Sequence, residues 1–148
     1  MTLKKIPLTW DLASLADEPA SMEFRLQLDL LKTKLANFAA STNSLPPVNG
    51  RSESSSSWIA LISEYELLDA EASDFKALVE CYMAADAECK LYQQLQAELA
   101  TLTPHREQIA THIEFAFKEA TDAEFLALIE SAAELKRNEY FLTTRRRN

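Results

Sequence analysis

From Trp58 onward the chain sets an apolar residue at every third or fourth position, through Leu61, Tyr65, Leu68, Ala72, Phe75, Val79 and Tyr82. An α-helix turns once every 3.6 residues, so this alternation keeps one face of a single helix apolar for about seven turns. A strand reverses its face at every residue, and no run of the sequence alternates in that way. The pattern therefore predicts a long helix whose stripe has to be covered. A seam of this length also suits a coiled coil, but it mixes small and aromatic residues with leucine, which favours a helix inside a bundle.

Shorter stripes follow the same period. Phe24, Leu28, Leu31, Leu35 and Phe38 step by four and three, with Leu26 and Leu30 widening the stripe. That helix is expected to start near Asp17 or Glu18, with Pro19 in its first turn, where proline is tolerated. A further helix is expected from near Asp86, with Leu91, Leu95, Leu99 and Leu102 on its inner face. Thr103 can cap a restart that carries Pro104, which predicts a kink or short break before Ile109, Ile113 and Phe117. Thr121, Asp122, Ala123 and Glu124 form a capping-box pattern. It opens a short helix with Phe125, Leu128 and Ile129 inward, and Leu135, Tyr140, Phe141 and Leu142 belong to a last one.

Two segments break the period. Residues 1–20 read as an irregular arm, punctuated by Pro7 and Pro19 and anchored by Trp10, Leu12 and Leu15. Residues 41–57 hold Pro46, Pro47, Gly50 and the run Ser54 to Ser57, a composition that predicts a flexible loop. The expected architecture is all-α: a bundle of long antiparallel helices over residues 21–148 behind that arm. A chain of 148 residues fits one domain and can bury roughly 70% of its unfolded surface.

The same residues say little for chemistry. Gly50 is the sole glycine, so phosphate-cradling loops and the glycine-flanked elbow of a nucleophilic triad have no raw material. His105 and His112 lie seven apart, two helical turns, too far to share a metal simply, and no Glu-x-x-His occurs. Glu64, Glu66, Asp69, Glu71 and Asp74 fall mostly off the Trp58 stripe and read as a solvated face. No catalytic, cofactor-binding or metal-ligating residue is expected. The net charge of −8 and pI near 4.8 oppose non-specific contact with nucleic acid or anionic lipid, and Arg145, Arg146 and Arg147 read as a solvated tail or a frayed helix end. No segment approaches the ~18 apolar residues of a membrane span, and Met1 to Trp10 lacks a signal-like stretch, so a cytoplasmic location is expected. Cys81 and Cys89 read as two buried, inert thiols.

The opening Thr9-Trp10-Asp11-Leu12-Ala13-Ser14-Leu15, then an acidic, proline-containing stretch and Phe24 in a leucine-rich helix, resembles the start of oligoendopeptidase F-type zinc metallopeptidases. The likeness continues loosely through Leu61 to Leu68 and Tyr82-Met83-Ala84-Ala85-Asp86. It returns in Glu139-Tyr140-Phe141-Leu142 with Arg145 behind. Nearly the whole chain is spanned, by short and degenerate motifs. The resemblance implies that the zinc and its His-Glu-x-x-His helix belong to a later catalytic domain that this chain does not reach, so no catalytic residue carries over. It also implies that these residues form one wall of a channel admitting short unfolded peptides. Trp10, Leu12, Leu15, Tyr140 and Phe141 are then the candidate contacts with the catalytic domain, and the partners are that domain or short peptides. The Ser-rich stretch at 51–57 departs locally from the family. A reading from a different class stands beside it: a self-sufficient helical interaction module, binding a partner helix in a groove or self-associating along the Trp58 to Tyr82 seam.

Overall fold

A computed structural model of the chain describes residues 17–147, so Trp10, Leu12 and Leu15 lie outside the described residues. It is all-α: α1 (Met22–Ser41), α2 (Ser52–Ala85), α3 (Lys90–Ala100), α4 (Thr103–Glu119), α5 (Asp122–Glu130), α6 (Ala133–Arg137) and α7 (Glu139–Arg147). No strand occurs among the described residues.

The spine is α2, whose 34 residues extend about 50 Å at 1.5 Å per residue. Its stripe is buried from Trp58 to Tyr82 as the period predicts, except that Ile62 is fully inside and Leu61 only partly so. α1 packs on α2 and α4, α3 lies along α2, and α7 lies along α4. Three rings follow one another through the core: Trp58 is tilted against Phe117 at 4.9 Å between centroids, and Phe117 meets Phe125 edge-on at 5.2 Å. Nearer α3, Phe24 meets Phe75 edge-on at 5.0 Å. Aromatic pairs in these geometries add to the area they bury.

Leu26 and Leu30 do not widen the α1 stripe; they are 63% and 53% exposed. Each lies two residues from Leu28, about 200° around the helix, so none of the buried face is within their reach. Met22 joins them as an exposed ridge. The start of α1 is also later than expected. Ser21 caps it by accepting from the Phe24 amide at 3.1 Å, while Pro19 sits in the preceding turn.

Residues 42–51 connect α1 to α2, and the Ser run belongs to the helix, not the loop. Composition misleads here because serine hydroxyls can be satisfied by the helix itself: Ser55 donates to the Arg51 carbonyl and Ser57 to the Glu53 carbonyl. Ser54 instead donates to the Pro47 carbonyl, folding the connection back onto the first turn. Leu45 and Val48 pack against the core. Gly50 matters for closeness rather than for a turn, since its φ is not positive. A Cβ there would lie 3.0 Å from the Ala127 Cβ and 3.1 Å from the Ala127 carbonyl oxygen of α5.

The break after α3 is present, but Thr103 is the first helical residue rather than the cap, a place taken by Leu102 without a side-chain bond. α3 begins at Lys90, four residues after Asp86, and Leu91 lies toward solvent at 37% exposure. Cys81 is exposed and Cys89 half-buried, so neither is a sealed core thiol. The capping box is formed: Thr121 accepts from the Glu124 amide, and Glu124 accepts from the Thr121 amide at 2.9 Å, which lowers its carboxyl pKa. Thr121→Ala is expected to cost about 1 kcal/mol, read as a shift in urea midpoint with unchanged slope.

One ion cluster clips α1 to α3. Glu98 takes Arg25 through both oxygens at 2.7 Å and Lys32 at 2.5 Å, and Arg25 also holds Asp29. The Arg25 hydrogen bonds hold the Glu98 carboxyl at about 2, against an ordinary 4.5. A folded value below the unfolded one stabilises above the unfolded value, and the gain disappears as the pH falls from about 4.5 toward 2. The urea midpoint of the native chain should therefore fall more steeply between pH 5 and about 2.5 than that of Glu98→Gln. Parallel curves would assign the acid sensitivity to other groups.

Candidate interaction surface

The two aromatic residues singled out on α7 are parted by the helix. Tyr140 is 87% exposed, whereas Phe141, one residue and about 100° on, turns toward α4 with the Arg145 guanidinium 5.2 Å from its ring centre. Leu142 completes the turn inward and is buried. Thus Tyr140 alone projects freely, and its juxtaposition with Trp10, Leu12 and Leu15 falls outside the described residues.

A groove of about 500 Å³ runs between α5 and α7, with Leu126 and Ile129 on one side and Thr143 and Arg147 on the other. Leu126 is 50% exposed. Sequence reasoning missed it because Leu126 adjoins Phe125 in an apolar run, and only the helical angle separates a core residue from an exposed neighbour.

Of the three arginines, which lie in the last turn of α7, Arg145 and Arg146 are engaged and Arg147 is exposed. Arg146 donates to the Phe117 carbonyl at 3.0 Å and the Ala120 carbonyl at 2.8 Å, pairs with Asp122 at 2.8 Å, and lies 4.8 Å over the Phe125 ring. Arg145 pairs with Glu114 at 3.0 Å. The last carbonyls of a helix have no internal partner, and Arg146 supplies one for α4 from across the fold. The signal available in sequence was Arg146 itself, but its target lies 26 and 29 residues away.

A second concavity, about 560 Å³, lies between the α1–α2 connection and α4. His112, Phe115, Ala116 and Glu119 form its α4 wall, one stripe at intervals of three and four. Asn43, Pro46 and Asn49 face it from the connection. Thr42, buried beneath, donates its hydroxyl to the Ala39 carbonyl at 2.7 Å and lies 2.9 Å from His112 Nδ1. His105 sits half-buried in the first turn of α4, apart from this stripe. No group of three His, Cys, Asp or Glu side chains placed to hold a metal occurs among the described residues. No described helix is long and apolar enough to cross a membrane.

Comparison with known proteins returned no matching family model, no matching curated protein and no matching solved structure.

Proposed function

We propose that this chain is the non-catalytic helical domain of an oligoendopeptidase F-like zinc peptidase, forming a wall that restricts a peptide channel. The observation that supports it is the exposure of Tyr140 on α7, 87%, and of Leu126 on α5, 50%. These side chains would be covered if a second domain packed against α5 and α7. On this reading α1 to α7 supply shape, and the zinc and its ligands belong to the catalytic domain that the sequence resemblance implies.

The test is the mass of the native protein in its source cells under denaturing conditions, detected with an antibody against this chain. A species several times heavier than 16.7 kDa, with a His-Glu-x-x-His segment in its reading frame, supports the wall. A band at 16.7 kDa without such a frame overturns it.

A second reading, a self-sufficient interaction module, is favoured by the Met22, Leu26 and Leu30 ridge, three residues at intervals of four on the outer side of α1. The Trp58 to Tyr82 seam is buried within the chain, so self-association would use this ridge instead. Sedimentation of the native chain and of Leu26→Glu over a hundredfold concentration range separates the cases. A mass that rises for the native chain alone supports the module.

A further inference from the structure

We propose that the cleft between the α1–α2 connection and α4 binds the guanidinium or ammonium side chain of a basic peptide segment, independently of any peptidase parentage. Its charge is one-sided: Glu119 and Glu124 line it, and no lysine or arginine does. Arg146 is spent on two carbonyls and Asp122, and Lys118 lies about 100° around α4 from Glu119.

Glu119 is the last residue of α4, where the helix dipole already presents negative potential. A carboxylate is locally unfavourable there, so a cation in the cleft would be drawn by both. Phe115, 58% exposed, stands one turn before Glu119 on the same stripe and offers the aromatic face over which a guanidinium settles. Ala116 between them leaves the room. His112 lines the same cleft one turn before Phe115 and Ala116. Carboxylates and an aromatic face within one turn suit a planar donor fork, and neither attracts an anion.

The cleft can be tested by titrating the ¹⁵N-labelled full chain with Ac-Gly-Gly-Arg-Gly-Gly-NH₂ and following the amides of Phe115 and Ala116. Saturable shifts in the millimolar range are expected, with none from the matching glutamine peptide. Glu119→Gln should weaken binding about tenfold, the loss of one charge-assisted contact. Phe115→Leu should weaken it about threefold, the loss of the aromatic face. Both side chains are exposed, and unchanged melting of the two variants verifies that the fold is kept. Equal shifts from arginine and glutamine peptides, no shift at all, or an affinity unmoved by Glu119→Gln would each overturn the proposal.

Discussion

Trp58→Ala is expected to be the most damaging single substitution, lowering stability by about 3–5 kcal/mol and the melting temperature by roughly 10 °C. The indole is fully buried, tilts against Phe117, and donates from Nε1 to the Pro47 carbonyl at 3.2 Å. Removing it empties the point where α2, α4 and the α1–α2 connection meet, and the Phe117–Phe125 file loses its first ring. Trp58→Phe separates the contributions. It keeps an aromatic ring against Phe117, and Pro47 still accepts from Ser54, so the expected cost is about 1–2 kcal/mol, mostly volume. Chemical denaturation read by circular dichroism measures both. Equal losses for the two variants would mean that the hydrogen bond, not packing, holds this junction.

Arg146→Ala is expected to cost about 2 kcal/mol, an unusual amount for a residue in a terminal basic run. Its side chain is 21% exposed and satisfies two carbonyls at the end of α4 while covering Phe125. Truncation leaves those carbonyls without their donor and detaches α7 from the α4–α5 corner. Arg146→Lys should recover less than half, because an ammonium cannot hold two carbonyls and stack on a ring with one rigid fork. Asp122→Ala should cost little, since that carboxylate is 97% exposed. If Arg146→Ala and Asp122→Ala were equal, the arginine would act only as a surface ion pair.

These two residues differ in how far sequence could reach them. Trp58 opens a stripe seven turns long, and burial follows from period alone. Arg146 sits in a run of three like charges, and nothing local distinguishes it from Arg147, which stays exposed. The candidate contacts show the same division. Tyr140 and Phe141 are neighbours in sequence, yet one meets solvent and the other packs beneath Arg145. The cleft was less legible still. His112, Phe115 and Glu119 share a helical stripe, but the opposite wall comes from residues some 70 positions earlier, and the link between them is Thr42.

What the sequence determined by itself is therefore the local and periodic part: the all-α class, the long α2, the buried stripes and the capping box at Thr121. Each rests on interactions within a few residues, where backbone geometry fixes which side chains are neighbours. What the tertiary structure decided is how Gly50 approaches Ala127 and that Arg146 closes α4. Those depend on partners 26 or more residues away, whose position is set only when the helices pack.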